Sequence, residues 1–538
     1  MSGINLLTAL TDNIIVEKDK CVACGICVEK CPMDNLRLKL SPCRQACPLG
    51  VNSQGYVNLV ARGEEEKAMN LIREKLPFPG IMGRVCSQPC EKNCHHASLG
   101  SSSIAIRALK RYLADRFTEE GETALPEMAS ASGKTVAIIG AGPAGLMAAY
   151  DLAMRGHKVS VFDSESRPGG MLRWAIPEFR LPAHVLDSEI ALLERMGITF
   201  ICGTVINSDR IESLREEFGA VIIATGSSGH RKLGIEGENL SGVYHAVVFL
   251  KAIRSGNPPA VGMRTVVIGG GNAAVDAAQS ALRLGAASVI MVCLESEQEM
   301  PAFLWALEGA RNEGVAVMNS LGPLRFLSEN GRLKGVEFVK CVSVFDKSGN
   351  FSPSFDACQM ETLDADTVII AAGQSPVTKP FEGLGIIKNG RIEYDEKTLE
   401  TLEEGLFCAG DAASGPTSVV DAMASGRVAA ESVHRYLMGE HMLYGRSYRG
   451  PVVTEFEIKT GSDIRSERIS VPVRKYTGKD DFAEIETCLD EKSARKEAGR
   501  CFSCGQAFGE YRTCWFCLPC EIECPHKALR VEIPYLLR

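Results

Sequence analysis

Two runs of cysteine, one near each end of the chain, carry the chemistry that is easiest to name. "CVACGICVEKCP" places Cys21, Cys24, Cys27 and Cys31 in the spacing C-x2-C-x2-C-x3-C-P. In a run of this form the first three thiolates bind one cubane iron–sulfur cluster and the fourth belongs to a second. Such a run is half of a site, and no second copy follows it nearby. The matching half is "CWFCLPCEIECP", with Cys514, Cys517, Cys520 and Cys524 close to the other terminus. Of 21 cysteines, nine fall between Cys21 and Cys94 and six between Cys501 and Cys524. Tight C-x2-C and C-x3-C spacings in a long chain favour metal over a disulfide framework. Cys202, Cys293, Cys341, Cys358, Cys408 and Cys488 are scattered singly and read as buried apolar thiols.

Glycines carry the chemistry of the middle of the chain. "KTVAIIGAGPAGLMAAYDLAMRGHKVSVFD" reads as a buried strand, then Gly140, Gly142 and Gly145 in a G-x-G-x-x-G turn, a helix, and a second strand closing on Asp163. The glycines permit a tight turn, close approach to a pyrophosphate and close helix–strand packing, while the acid reaches a ribose hydroxyl. The diphosphate belongs at the helix N-terminus, where unpaired N–H groups face it. A second unit, "RTVVIGGGNAAVDAAQSALRLGAASVIMVCLE", puts Gly269, Gly271 and Ala274 in the corresponding places. Two units predict two dinucleotides. "GLFCAGDAASGPTSVVDAMASGRVAA" carries Asp411 after a strand, where a carboxylate can accept from the sugar-alcohol chain of a flavin.

The elements that hold these groups follow from length and pattern. A chain of 538 residues is too long for one core and predicts three or four domains. With 45% apolar and 23% charged residues it reads as an ordinary globular protein. A net charge of −8 gives no electrostatic reason to expect nucleic acid or an anionic membrane as partner. No apolar run approaches a membrane span and the first residues lack a signal peptide's basic start, so a cytoplasmic location is expected. "VIIATG" at 221–226 and "VIIAAG" at 368–373 read as the crossings between a flavin domain and a nicotinamide domain inserted into it.

From Cys43 to about Leu437 the chain resembles the NAD(P)H-oxidising small subunit of bacterial glutamate synthase and the N-terminal part of dihydropyrimidine dehydrogenase. "CPLGVN", "GRVCSQPCEKNC", "GAGPAGL", "PGGMLRWAIPEFRLP", "GGGNAAVDAA", "EMPA" and "AGDAASGPTSVVDAMASGR" carry the resemblance, in that order. It implies an α/β chain: FAD in an outer Rossmann-like lobe, NAD(P)H in an inserted one, and a helical cysteine-rich domain ahead of both. By position, Asp163, Arg173, Arg180 and Asp411 would contact FAD. The expected domains are a ferredoxin-like half at 1–42, the helical iron–sulfur domain at 43–130, the flavin domain at 131–257 and 373–440, and the nicotinamide domain at 258–372. A linker at 441–500 and a second ferredoxin-like half at 501–538 complete the chain.

The cysteine-rich domain of that family opens R-C-x2-C-G-x3-C-x3-C-P. Here "CRQACP" supplies only Cys43 and Cys47, and the first two places hold Asn35 and Leu38. "EAGRCFSCG", with Cys501 and Cys504, resembles the missing opening. The resemblance therefore leads to an expected account of about four 4Fe-4S clusters. Cys21, Cys24 and Cys27 join Cys524, and Cys514, Cys517 and Cys520 join Cys31, so that the two ends fold as one ferredoxin. Cys43 and Cys94 join Cys501 and Cys504. Cys47, Cys86 and Cys90 hold the fourth with a ligand that is not cysteine; Met82 stands where some relatives have one, and Gln45 and Gln88 are substitutes or plain surface residues.

The cofactors carry hydride transfer, so no catalytic acid, base or nucleophile is expected. The flavin lobe has no C-x2-C, which disfavours a dithiol mechanism. Glu295 lies 26 residues after Gly269, near the offset of an acid that binds the ribose 2′-hydroxyl, and predicts a preference for NAD(H) over NADP(H). The function expected is the electron-input subunit of a hetero-oligomeric, anaerobic oxidoreductase. It would pass electrons from NADH through FAD and the clusters to a ferredoxin or a larger catalytic subunit. A self-contained NAD(P)H:ferredoxin oxidoreductase, with or without flavin-based bifurcation, is the alternative, and a scaffold subunit with vestigial nucleotide sites is another.

Overall fold

The computed structural model describes residues 7–9, 11, 13–17, 20–21, 26–31, 36–119, 124–443, 452–453, 467–504, 514 and 516–533. Two five-stranded parallel sheets dominate it. The first runs in the order Leu406–Cys408, Ala220–Ile223, Thr135–Ile139, Lys158–Phe162 and Thr199–Ile201. Val136, Ala137, Ile138, Val221, Ile222 and Ile223 have no exposed surface. Burial on both faces is why these strands read as unbroken apolar runs rather than alternating ones.

The second sheet runs Ala316–Met318, Ser288–Val292, Arg264–Ile268, Thr367–Ile370 and Val243–His245. An antiparallel sheet of Leu321–Glu329, Arg332–Phe345 and Phe351–Asp364 packs beside it. The strand Val243–His245 and the helix Ala246–Arg254 belong to this second body, so the expected boundary at 257 lies too late. The chain crosses instead where Gly229–His230 pairs with Gln374–Ser375. A ladder two residues long has no hydrophobic period to mark it in a sequence.

The cysteine-rich domain is built of short helices, Pro42–Gln45, Pro79–Val85 and Pro89–Lys92 among them. Each starts on proline, whose missing N–H costs nothing in the first turn. These short helices bring Cys43, Cys47, Cys86, Cys90 and Cys94 to the edges of longer ones, Ser53–Ala61 and Ile106–Glu119. One apolar core continues from here into the flavin sheet, from Phe78 and Leu109 to Ile138 and Ala149.

The stretch expected as a linker is, from residue 467 on, a packed strap. Glu497 has no exposed surface and accepts from the backbone N–H of Ala105 and of Ile469, each at 2.8 Å. Glu486 takes Arg107 on both oxygens at 2.7 Å, and Glu484 takes Arg84 at 2.7 Å and Arg111 at 2.9 Å. At its tip the strap touches the nicotinamide lobe, where Asp480 donates its N–H to the Arg283 carbonyl at 2.8 Å. Tyr476 lies 4.7 Å from the Arg283 guanidinium. Replacing one member of a buried pair strands the other, at about 3–5 kcal/mol. Glu486→Gln is therefore expected to lower the thermal unfolding midpoint by several degrees, as followed by circular dichroism. A midpoint within a degree of the parent's would mean that the strap only rests on the surface.

The termini meet. Ile14–Val16 pairs antiparallel with Leu529–Val531, and Ile14, Cys27, Val28, Cys514, Cys520, Leu529 and Val531 share one small core. Among the described residues no helix is long and apolar enough to cross a membrane.

Candidate flavin, nicotinamide and cluster sites

The first glycine turn joins the strand Thr135–Ile139 to the helix Pro143–Met154. Gly140 sits at φ +109°, and a Cβ there would lie 2.3 Å from the Ala224 carbonyl oxygen. A Cβ on Gly145 would lie 1.9 Å from the Gly140 oxygen, so neither position admits a side chain. Gly142 is different: nothing comes closer to its notional Cβ than the Gly170 Cα at 3.9 Å. That open cradle before a helix N-terminus fits a dinucleotide phosphate. Asp163 is buried and accepts from the N–H of Ala141 at 2.7 Å and of Glu165 at 2.8 Å. Burial raises its carboxyl above the usual range, and those two bonds pull it part of the way back.

Asp411 opens the short helix that follows the strand Leu406–Cys408. Its Oδ1 accepts from the Thr417 N–H at 3.0 Å and hydroxyl at 2.7 Å, just before the helix Val419–Met438. Trp174 Nε1 is a buried donor with no partner among the described atoms, an indole left to a bound group. Arg173 and Arg180, expected at the flavin, are each paired with a carboxylate. Arg173 donates to Asp187 at 2.6 Å, and Arg180 reaches into the nicotinamide lobe to both oxygens of Asp276 at 2.7 Å.

The second turn leads from Arg264–Ile268 into the helix Asn272–Arg283. Ala274, in the place of the third glycine, is fully buried, and the space around Gly271 is open. Glu295 follows the strand Ser288–Val292, and its Oε2 would lie 2.8 Å from a Cβ on Gly270. Its carboxylate is thus set against the glycine turn. Asn319 fixes this corner by donating to the Glu295 carbonyl at 3.2 Å and to Cys293 Sγ at 3.3 Å. Burial, with the Glu295 charge, pushes the Cys293 thiol up to about 12.

Cys43, Cys94, Cys501 and Cys504 line one cavity. Gln54 Oε1 and His96 Nδ1 in its wall are buried without partners. The His96 ring stacks on Phe502 at 3.7 Å, and its Nε2 donates to the Arg500 carbonyl at 2.8 Å. Burial raises the thiols of Cys43 to about 11 and of Cys501 to about 12, and Cys504 higher still. Four cysteines and two unpartnered polar atoms around one cavity fit an iron–sulfur cluster.

A second group is Cys47, Cys86 and Cys90. Burial raises the Cys90 thiol, and Cys86 beside it adds to the rise. The third set lies around the core shared by the termini: Cys21, Cys27, Cys31, Cys514, Cys520 and Cys524, with Cys517 exposed. Burial lifts Cys520 to about 11, with Cys31, Cys514 and Cys517 acting on it in that order. Cys24 and Asn35 lie outside the described residues, and the backbone at Leu38 pairs with Leu7. Among the described residues no three His, Cys, Asp or Glu side chains converge on a single ion. A cubane takes one thiolate at each corner, so its ligands stand further apart than those of one ion. Of the non-cysteine candidates, Gln45 donates its amide to the Leu40 carbonyl at 2.6 Å and Met82 is fully buried in the core. Gln88 lies beside the site, its backbone N–H 3.5 Å from Cys86 Sγ.

Comparison with known proteins adds the family. The model of pyridine nucleotide-disulphide oxidoreductases matches residues 134–426, that of dihydropyrimidine dehydrogenase domain II, 4Fe-4S cluster, 36–122, and a 4Fe-4S binding domain 14–37. The NADP(+)-dependent formate dehydrogenase subunit beta of Moorella thermoacetica is 33% identical over 86% of this chain and 70% of its own. For the NADPH-Fe(3+) oxidoreductase subunit beta of Geobacter sulfurreducens the figures are 31%, 86% and 75%. The glutamate synthase (NADPH) small chain of Halomonas elongata is 34% identical over 73% of this chain and 88% of its own. Mycobacterium tuberculosis FprA in complex with NADPH shares the fold, at TM-score 0.51 and 18% identity over 57% of this chain and 85% of that one.

Proposed function

Since the chain belongs to the pyridine nucleotide-disulphide oxidoreductase family and carries 4Fe-4S binding domains, it is an NAD(P)H-dependent flavin and iron–sulfur oxidoreductase, and we propose that it is the electron-input subunit of a larger complex. The observation that carries this reading is the continuous core that joins the flavin sheet to the cysteine domain, where the cavity of Cys43, Cys94, Cys501 and Cys504 opens. Bound FAD would accept hydride from the nicotinamide and return the electrons singly. The residues of this chain bind and orient. Gly140, Gly142 and Gly145 shape the phosphate cradle, Asp163 braces the turn, and Asp411 faces the flavin chain. Gly269, Gly271, Ala274 and Glu295 seat the nicotinamide cofactor, with NAD(H) preferred.

Four clusters then lead outward. Cys47, Cys86 and Cys90 lie in or against the flavin-side core, Cys43 and Cys94 with Cys501 and Cys504 follow, and the two ferredoxin-like sites end at exposed Cys517. A partner subunit or a ferredoxin receives electrons there. Related chains are named as beta subunits or small chains, which supports a hetero-oligomer. The test is anaerobic purification from the native host, followed by addition of NADH. Bleaching of a flavin band with reduction of iron–sulfur absorption is expected, and a copurifying catalytic chain. A preparation that binds no flavin after incubation with FAD would end the proposal.

A further inference from the structure

Two lobes joined by a thin crossing can turn on one another. The ladder of Gly229–His230 with Gln374–Ser375 is two residues long, and among the described residues no wider sheet runs from one lobe into the other. Hydride transfer needs the nicotinamide held against the flavin, so the angle between the lobes has to be fixed. Arg180 with Asp276 is one tie between them. Another is built around Arg283, the last residue of the helix Asn272–Arg283, which has no exposed surface. Glu313, in the same lobe, takes its guanidinium on both oxygens at 2.6 and 2.9 Å. The ring of Phe179, from the flavin lobe, lies 4.1 Å from that guanidinium, and the ring of Tyr476, from the strap, 4.7 Å. The strap grips both sides of this seam. Its Asp480 N–H donates to the Arg283 carbonyl at 2.8 Å and its Ile485 N–H to the Phe179 carbonyl at 3.0 Å. Its tip is braced from within, since Asp481 accepts from Arg474 at 3.0 Å and from the Thr477 N–H at 2.9 Å. Beyond the tip, Glu484 and Glu486 anchor it on Arg84 and Arg107 of the cysteine domain.

We propose that this seam locks the nicotinamide lobe against rotation, and that Arg283, Phe179 and Tyr476 are positioning residues for hydride transfer. The helix that ends on Arg283 is a stiff rod about 18 Å long, and Gly271 stands just before its first residue. Holding Arg283 at one end therefore holds the dinucleotide turn at the other. The strap leads on to Cys501 and Cys504, so one segment sets the cysteine domain and both nucleotide lobes in a single arrangement. The inference rests on the reading of the two lobes as flavin and nicotinamide sites.

Stopped-flow reduction of the full chain by NADH tests it, with FAD and iron counted in each preparation. Tyr476→Ala is expected to lower the limiting rate of flavin reduction by about tenfold to a hundredfold, while the dissociation constant for NADH and the FAD and iron contents stay as in the parent. Tyr476→Phe, which keeps the ring, should restore the rate. Hydrogen exchange at Gly229–His230 and Gln374–Ser375 should quicken in Tyr476→Ala and not in Tyr476→Phe. A Tyr476→Ala protein with the parent's limiting rate and the parent's exchange at the crossing overturns the lock. Loss of FAD and iron along with the rate would make Tyr476 a brace of the whole fold and overturn its positioning role. The parent gives a check that needs no variant: its small-angle scattering curve should not change when NAD+ is added. A change that fits one lobe turning on the other overturns the inference and leaves the assignment of the lobes intact. A parent whose flavin neither NADH nor NADPH reduces would end that assignment, and the inference with it.

Discussion

Ending the chain after Ala498 is expected to leave about four irons where the full protein binds about sixteen. Simple modularity predicts otherwise, since the deleted piece carries only six cysteines. Each has a partner at the far end. In the proposed account Cys524 would complete the ligand set of Cys21, Cys24 and Cys27 and Cys31 that of Cys514, Cys517 and Cys520, while Cys501 and Cys504 line the same cavity as Cys43 and Cys94. Truncation also removes Leu529–Val531, the strand that pairs with Ile14–Val16. The cut after Ala498 keeps Glu497 and so keeps the bonds to Ala105 and Ile469 that hold the strap on the helical domain. Only the Cys47, Cys86 and Cys90 site retains every proposed ligand. Iron analysis of the anaerobically reconstituted chain reads the result directly. A loss of only about four irons would make the two ends independent modules.

What could be read from the sequence, and what could not, divides along a physical line. Gly140, Gly145 and Gly269 announce themselves because backbone geometry demands glycine at fixed offsets, and a short local word records the demand. The meeting of the termini was legible for a different reason: two incomplete ligand sets imply one another, whatever chain lies between. The strap was not legible. Glu484, Glu486 and Glu497 hold it through ion pairs and backbone N–H groups, so it has no apolar period and reads as a charged tether. Arg180 makes another contact of this kind. Its guanidinium is paired with Asp276 across the lobes, a contact that no spacing along the chain encodes.

NADH is expected to exceed NADPH in specificity constant for flavin reduction by about tenfold to a hundredfold, or about 1.4–2.8 kcal/mol. The reasoning begins at the end of the strand Ser288–Val292, where an enzyme selecting NADPH needs guanidinium or ammonium groups for the 2′-phosphate. Here stand Cys293, Leu294 and Glu295. Cys293 is buried and Glu295 lies against Gly270, so the carboxylate occupies the edge of the turn over which a ribose would sit. It can accept from a 2′-hydroxyl, and it repels a phosphate in the same place. Two unit charges about 4 Å apart interact by about 4 kcal/mol near a protein surface, and screening by salt and water reduces that to the range given. Glu295→Ala removes both effects and should bring the two cofactors to within a few-fold of each other, mainly through a lower KM for NADPH. Glu295→Arg should reverse the order. The named relatives that use NADP(+) or NADPH make the comparison pointed. If the parent enzyme prefers NADPH, or if Glu295→Ala leaves the ratio where it was, selection lies elsewhere in the lobe and Glu295 is only a carboxylate at the end of a strand.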